Sequence, residues 1–325
     1  MEKKRILVAG GAGFIGSNFA NTHRHKYEVI VLDNLMLGDP KNLEKGSHFI
    51  EGDAGKEEDL AKVGPVDYVI NLAGTSSQPM FNGDGLISGY LNSVRAFLTV
   101  LEWARKNGTK KVLYASTSSL YANNPLPLVE TQLVIPPNHY AVTKQLYESA
   151  ARCYHHSYPD MDIIGFRFMS VYGPNEEAKG AYANIISQFA WDIARDRTPL
   201  IYGDGTQTRD FTNVKDVVMG IALAMETEKK LGADFFNIGT GRSVSLNEIT
   251  DALYKAFGKE KKIEYIENPV KEVYIRDQYA DISKISSVLG FAPRVVLEDG
   301  ILEQVKNLRM ERVRQTSSDL LKQKP

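Results

Sequence analysis

A glycine-rich turn near the N-terminus restricts the fold of this chain more than any other feature. Gly10, Gly13 and Gly16 follow a short apolar run at residues 5–9, and residues 17–23 after them read as a helix. A strand, a turn with this glycine spacing and a helix are typical of the first unit of a dinucleotide-binding sheet. The glycines permit a tight turn, close approach of a pyrophosphate and close packing of helix on strand. The helix start offers free N–H groups and partial positive charge to the phosphates.

An acidic residue follows the second predicted strand, which covers residues 28–32. Asp33 stands about 20 residues after the glycine turn, the separation at which an acid contacts the ribose in such sheets. Its carboxylate would accept hydrogen bonds from both ribose hydroxyls and repel a 2′-phosphate. No arginine occurs in the next five residues, N-L-M-L-G, so we expect NAD rather than NADP. The alternative role for Asp33 is that of an ordinary turn residue at a strand end.

Further strand-like segments alternate with helical ones along the chain. The third strand-like segment is F-I-E, before Gly52 and Asp53, and residues 66–74 and 110–115 read as the fourth and fifth strands. This alternation predicts an α/β fold, a doubly wound parallel sheet with a smaller α/β C-terminal domain. We predict that residues 1–174, with a return segment at 210–238, form the first domain. The second domain would comprise residues 175–209 and 239–325, with helices near 246–257 and 297–312.

Composition excludes several classes of protein. The 39 basic and 40 acidic residues give a net charge of −1, so no bulk field attracts nucleic acid or an anionic membrane. No apolar stretch reaches the length of a membrane span. The N-terminal residues run directly into the first strand, so we expect no signal peptide and a cytoplasmic protein. Cys153 is the only cysteine and the histidines lack metal-binding spacing, so we assign neither a disulfide nor a metal.

Tyr140 and Lys144 stand four residues apart in a segment that reads as a helix, so their side chains share one face. A lysine ammonium beside a phenol favours the phenolate and would lower the tyrosine pKa. Such a tyrosine can take a proton from an alcohol while a hydride leaves the same carbon. A run of hydroxyl side chains, S-T-S-S at 116–119, follows the fifth strand, at the sheet edge where ligands bind. Taken alone, these features also fit a tyrosine packed under a lysine stem and a serine-rich turn.

The ordered motifs resemble those of the extended short-chain dehydrogenase/reductase family, in its NAD-dependent nucleotide-sugar epimerase and dehydratase branch. They extend from Arg5 to about Asp299, nearly the whole chain. The matching segments are G-G-A-G-F-I-G (10–16), L-D-N (32–34), N-L-A-G (71–74), S-T-S-S-L-Y (116–121), Y-A-V-T-K (140–144), F-R-F-M-S-V-Y-G-P (166–174), G-D-G-T-Q-T-R-D-F (203–211) and N-I-G-T-G (237–241). The resemblance implies a Rossmann-type sheet, bound NAD and a nucleotide-diphosphate sugar, with a UDP-sugar favoured.

The resemblance also implies roles for individual residues. Thr117 would hydrogen-bond the sugar hydroxyl that is oxidised, Tyr140 would act as general base and then acid, and Lys144 would bind the nicotinamide ribose. Asp53 would hold the adenine amino group, and Phe168 would pack near the nicotinamide. The full set of expected cofactor contacts is Gly10, Gly13, Phe14, Ile15, Gly16, Asp33, Asn34, Asp53, Ala54, Leu72, Ala73, Gly74, Asn92, Tyr140, Lys144 and Phe168.

Two serines indicate which reaction of the branch to expect. The dehydratases carry an Asp-Glu or Ser-Glu pair directly after the catalytic threonine, where this chain has Ser118 and Ser119. A serine hydroxyl is a poor base near pH 7 and cannot replace that glutamate. We therefore expect an isomerase, a 4-epimerase of the UDP-glucose/UDP-galactose type. The alternatives are a 4,6-dehydratase or UDP-glucuronate decarboxylase with its base elsewhere, and an NAD-binding sensor without catalysis.

The expected substrate contacts carry weaker signals. Ser170 replaces the asparagine that the family has in F-N-V-Y-G-P, and Ala122 replaces a glycine. Arg209 matches the family arginine that binds the nucleotide diphosphate. The planar guanidinium group suits this role because it can donate two parallel hydrogen bonds to phosphate oxygens. The full set of expected substrate contacts is Ser77, Thr117, Ser170, Asn184, Ile185, Arg209 and Arg276. Surface charge or helix polarity is an equally good account of Arg276, Asn184 and Ile185.

The resemblance further implies a homodimer. The predicted helices at 86–106 and 140–157 would pair with their copies in a four-helix interface. The residues that could contribute apolar contacts there are Tyr90, Phe97, Leu101, Leu146 and Tyr154. The alternative is that both helices pack only on the sheet of their own subunit.

Overall fold

Strands and helices alternate along the N-terminal two thirds of the chain. The structure is a computed structural model that describes residues 3–268 and 275–321, with side chains described as far as Asp319. Its strands are β1 (Arg5–Ala9), β2 (Glu28–Asp33), β3 (His48–Glu51), β4 (Tyr68–Asn71), β5 (Lys111–Thr117), β6 (Asp162–Phe168), β7 (Ser170–Tyr172), β8 (Leu200–Tyr202), β9 (Thr208–Arg209), β10 (Phe211–Asn213), β11 (Ala233–Ile238), β12 (Val244–Ser245) and β13 (Glu264–Ile266). Its α-helices are α1 (Phe14–His23), α2 (Glu57–Leu60), α3 (Gly85–Lys106), α4 (His139–Ser157), α5 (Ile185–Ala194), α6 (Val214–Glu226), α7 (Leu246–Phe257), α8 (Ser283–Leu289), α9 (Leu297–Lys306) and α10 (Ser317–Leu321).

The central sheet contains seven parallel strands in the order β11-β6-β5-β4-β1-β2-β3. Apolar runs such as I-L-V-A in β1 and V-I-V-L in β2 are buried, as strands covered on both faces require. The direction of the strand order reverses between β1 and β4, which leaves a crevice at their carboxyl ends. The prediction of a Rossmann-type doubly wound sheet is confirmed.

Helices cover both faces of this sheet. On one face α1 and α6 contribute Phe19 and Ile221 to a buried core. On the other face α3 and α4 pack together, and Phe97 and Leu101 are fully buried there. The prediction that Phe97 and Leu101 contact a second subunit was therefore wrong, because both side chains are used in the core of their own subunit.

A separate core lies between α5, α7 and α9. Its centre is built from apolar residues such as Ile186, Ile249 and Ile301. Helix α9 ends at Lys306, short of the predicted residue 312, and a 3₁₀ turn covers Met310–Arg312. The domain boundaries stay a prediction, and the predicted second domain includes 269–274 and 322–325, outside the described residues. No helix in the described part of the chain is long and apolar enough to cross a membrane.

Candidate active site

The glycine turn joins β1 to α1 at the sheet crevice. Gly10 has a φ of +75°, which favours glycine, and its N–H donates to Leu32 O at 2.8 Å. A Cβ on Gly16 would lie 2.4 Å from Gly10 O, so only glycine fits where the helix meets the turn. Gly13 precedes α1 and has no side chain to bond the first N–H groups of the helix. The turn therefore presents backbone donors to a phosphate, as a dinucleotide requires.

Asp33 ends β2 beside this turn. Its Oδ2 accepts from Ala12 N at 2.9 Å, and its Oδ1 accepts from Leu35 N at 2.8 Å. Burial raises the pKa of Asp33, and the backbone hydrogen bonds from Leu35 and Ala12 oppose that rise. Each carboxylate oxygen keeps a further lone pair, so the group is held in place and can still accept from a ribose.

Thr117, Tyr140 and Lys144 meet where β5 ends and α4 begins. Tyr140 and Lys144 lie one turn apart on α4, and the Lys144 Nζ is 5.8 Å from the Tyr140 ring centroid. The Thr117 side chain is a hydrogen-bonding partner of the Tyr140 phenol. The structure thus assembles the three predicted catalytic residues around one point.

The pKa values in this cluster differ from the sequence expectation. Burial raises the pKa of Tyr140, and only the hydrogen bond with Thr117 opposes it. Burial lowers the pKa of Lys144 to about 7. The prediction of a lowered Tyr140 pKa was wrong for the protein alone, because burial favours the neutral form of both groups. A lysine that is half neutral near pH 7 exerts little pull on a phenol.

A cavity of about 930 Å³ runs from the glycine turn to this cluster. Every expected cofactor contact lines it, as do Ser77, Thr117, Ser170, Asn184 and Arg209 of the expected substrate contacts. The backbone donors, the acid at Asp33 and the volume fit a dinucleotide together with a sugar. We therefore conclude that the residues present suit NAD.

Two expected substrate contacts do not line the cavity. Arg276 lies on the surface, where its Nη1 pairs with Asp277 at 2.9 Å and its Nη2 donates to Thr206 at 2.7 Å. Ile185 begins α5 and packs against the separate core. Arg209 lines the cavity, and its guanidinium also donates to the carbonyl oxygens of Ile275 and Arg276.

Several contacts made by the lining residues were not predicted from the sequence. Gln78 accepts from Tyr140 N at 3.2 Å and so holds the first turn of α4, and Gln278 donates to Ser118 O at 3.3 Å. His139 also lines the cavity, and its Nδ1 lies 3.0 Å from the Tyr90 hydroxyl. These contacts join residues far apart in sequence, so spacing gave no signal for them.

A third carboxylate lines the cavity in addition to Asp33 and Asp53. Glu176 pairs with Lys179 at 2.9 Å, and it accepts from Asn184 N at 2.8 Å and Ser187 Oγ at 2.5 Å. These donors occupy the oxygens of its carboxylate. The sequence gave no role to Glu176 or Lys179.

The chain is similar to known proteins over most of its length. A family model described as the NAD dependent epimerase/dehydratase family matches residues 6–239. A putative UDP-glucose 4-epimerase from Methanocaldococcus jannaschii is 32% identical over 91% of this chain and 95% of that protein. A UDP-glucuronate 4-epimerase from Thermodesulfobacterium geofontis is 35% identical, over 92% and 94% respectively. The crystal structure of UDP-glucose 4-epimerase from Thermotoga maritima with UDP-glucose has a TM-score of 0.86 and 31% identity, over 93% and 97%.

Proposed function

The chain belongs to the NAD-dependent epimerase/dehydratase family, and from this we propose that it is a UDP-sugar 4-epimerase. One observation carries the choice of reaction within the family: the cavity has serines, Ser118 and Ser119, directly after Thr117. The carboxylates that line the cavity lie elsewhere, with Asp33 beside the glycine turn and Glu176 bonded to Lys179. Water loss requires removal of a proton next to the ketone, and among the residues that the structure describes no free carboxylate lies beside Thr117 to remove it.

In the proposed reaction, one proton and one hydride leave the sugar and later return to it. Thr117 would orient the 4-hydroxyl of the sugar, and Tyr140 would take its proton. Bound NAD supplies the hydride acceptor. The 4-keto sugar would turn in the cavity, and Tyr140 would return the proton as reduction occurs on the other face. Lys144 would hold the nicotinamide ribose and, when protonated, favour the Tyr140 phenolate.

The remaining predicted contacts follow from this arrangement. We propose that Asp33 binds the adenosine ribose and that Asp53 binds the adenine. Arg209 would bind the diphosphate, and Ser170 would face the sugar nucleotide. The geometry gives less support to Arg276 and Ile185, which lie outside the cavity lining.

We propose glucose and galactose as the sugars of the substrate pair, as the motif resemblance implies. The similar proteins are named for UDP-glucose and for UDP-glucuronate, so the assay has to compare both. The purified protein is incubated separately with UDP-glucose, UDP-N-acetylglucosamine and UDP-glucuronate, and products are resolved by NMR. We expect UDP-galactose from UDP-glucose, with no net consumption of added NAD.

Any other product would correct either the proposed sugar or the proposed reaction. A 4-epimer formed only from one of the other two nucleotides would keep the reaction and correct the sugar. A 4-keto-6-deoxy sugar or a UDP-pentose would overturn the epimerase assignment in favour of a dehydratase or a decarboxylase. The Tyr140→Phe variant is the control for activity from a contaminating enzyme.

We also propose a homodimer through α3 and α4. These helices pack on each other, yet Ile87 and Leu91 are 66% and 61% exposed, and Val142 and Leu146 are partly exposed beside them. We expect light scattering to give twice the chain mass, and Leu91→Glu to give monomers. Leu133→Glu, at a loop residue that is 81% exposed, is the matched control. A cytoplasmic location stays a prediction from the sequence.

A further inference from the structure

A segment near the C-terminus, residues 309–319, contacts the loop that follows β2 beside the cavity; we call this segment the C-terminal strap. Arg312 in this strap donates through Nη2 to Asp39 Oδ2 at 3.0 Å and to Asn42 Oδ1 at 2.6 Å. Its side chain is 13% exposed, so these charge-assisted bonds are shielded from water. The strap is therefore joined to the loop that follows β2.

Asp39 and Asn42 in turn hold the glycine turn. Asp39 N and Asn42 Nδ2 both donate to Ala12 O, each at 3.0 Å. On the other side of the same residue, Ala12 N donates to Asp33 Oδ2 at 2.9 Å. Ala12 lies between Gly10 and Gly13. Its carbonyl is thus held by Asp39 and Asn42, the two residues that Arg312 contacts, and its N–H is held by Asp33.

A second arginine of the strap reaches the same loop. Arg314 donates through Nη1 to Met36 O at 3.1 Å and through Nη2 to Gly38 O at 3.2 Å. Met36 and Gly38 line the cavity, and a Cβ on Gly38 would lie 2.8 Å from Asp33 Oδ1. The loop that the strap holds therefore forms the wall beside the Asp33 carboxylate.

The strap is anchored independently at its far end. Asp319 pairs with Arg197 at 2.5 Å, and Ser318 Oγ donates to Asp192 Oδ2 at 2.6 Å. Arg314 N also donates to Glu177 O at 3.2 Å, in the segment that supplies Lys179 to the cavity. Because the strap is held at Arg314 and again at Ser318 and Asp319, Arg312 can transmit a fixed position to Asp39 and Asn42.

We propose that Arg312 is a positioning residue for the NAD site, acting through Asn42 and Asp39 on the Ala12 peptide. It does not line the cavity, and it contributes to affinity by holding the glycine turn in its binding conformation. Without Arg312, the loop has to be ordered when the dinucleotide binds, which lowers affinity. The inference rests on NAD binding alone and not on the sugar or the reaction proposed above.

The test measures nucleotide affinity of the full chain, stripped of bound nucleotide. NADH fluorescence gives the Kd, and a chase with excess NAD gives the dissociation rate. We expect Arg312→Ala to raise the Kd about tenfold, as for loss of a charge-assisted hydrogen bond. Asn42→Ala should do the same, and the double variant should be no worse than either alone, because both act on one path. Arg242→Ala, which removes an exposed ion-paired arginine, is the control.

The proposal fails if Arg312→Ala binds NADH within twofold of the parent, because the strap contact is then structural only. It also fails if the two single effects simply add. The proposal is supported if the kcat of the variant at saturating NAD falls far less than its affinity for NADH. If Arg312→Ala does not fold, Arg312→Lys replaces it, since lysine keeps the charge but loses the fork that meets both acceptors. We expect at least a threefold higher Kd there, and an unchanged Kd contradicts the proposal.

Discussion

Glu148 and Arg167 form an ion pair that is almost completely removed from solvent, with 2% exposure of each side chain and 2.7 Å between Arg167 Nη2 and Glu148 Oε2. The Arg167 Nε also donates to Glu148 Oε1 at 2.9 Å, and the same oxygen accepts from Ser116 Oγ at 2.7 Å. Glu148 lies two turns after Tyr140 on α4, and Ser116 directly precedes Thr117 on β5. The ion pair therefore fixes α4, which carries the proposed base Tyr140, against β5, which carries Thr117.

Removal of one member of this pair should be costly. We expect Glu148→Gln to lower the free energy of unfolding by about 3 kcal/mol, because a buried guanidinium is left without its counter-charge. Glu102→Gln breaks a partly exposed pair with Arg105 and should cost less than about 1 kcal/mol. Urea unfolding of both variants gives the comparison. Equal and small losses would show that Glu148 does not hold α4 in place.

The Tyr140 hydroxyl is proposed to move the proton, so its removal should affect chemistry and not binding. We expect Tyr140→Phe to lower kcat roughly 10²–10⁴-fold, the usual contribution of a general acid–base group. The NADH Kd should change little, since the ring remains in the cavity wall. Tyr27→Phe removes a hydroxyl that donates to Glu226 away from the cavity, and it serves as the control. A Tyr140→Phe variant with the parent kcat would refute the assignment of the base.

The buried Lys144 should make the stability of the ligand-free protein depend on pH. Its pKa is about 7 in the folded protein and 10.5 in the reference state, so between these values the unfolded chain binds more protons. Stability contributed by this site therefore rises with pH across that range, by up to about 1.4 kcal/mol per pH unit. The raised pKa values of Tyr140 and Tyr147 affect stability only near pH 10 and above. There the folded protein binds more protons than the unfolded chain, so stability falls as the pH rises.

Urea unfolding at pH 7, 8 and 9 measures this effect. The parent protein should gain stability relative to Lys144→Met as the pH rises, because the variant lacks the titrating group. Lys106→Met, at an exposed helix position, controls for loss of a positive charge. Parallel pH profiles for the parent and Lys144→Met would contradict a depressed Lys144 pKa.

Local signals explain why much of the fold was predictable. The apolar runs of β1 and β2, the glycine turn and Asp33 are contiguous features whose geometry depends on neighbours in sequence. Spacing likewise placed Tyr140 and Lys144 on one face of α4. The hydroxyl run at 116–119 was placed at the crevice because it follows a strand of a parallel sheet, and the motif resemblance then singled out Thr117.

Long-range contacts explain what the sequence did not reveal. Arg312 meets Asn42 across 270 residues, and Arg167 on β6, a strand paired with β5, meets Glu148 on α4. The pKa of Lys144 depends on burial, which a spacing rule does not contain. The end of α9 at Lys306 was also missed, since a helical pattern continues past the residue where the backbone turns away.

Two arginines were expected to contact the substrate, with Arg276 the weaker candidate, and the structure separates them. Arg209 lines the cavity, whereas Arg276 lies on the surface in contact with Asp277 and Thr206. We expect Arg209→Ala to raise the Kd of UDP about 10- to 100-fold, because charge-assisted bonds to phosphate contribute about 1.5–3 kcal/mol. Arg276→Ala should change it less than about threefold, as for an exposed ion pair. Calorimetry with UDP and the NAD-loaded protein measures both, and an effect of Arg276→Ala as large as that of Arg209→Ala would place the diphosphate nearer the surface than proposed.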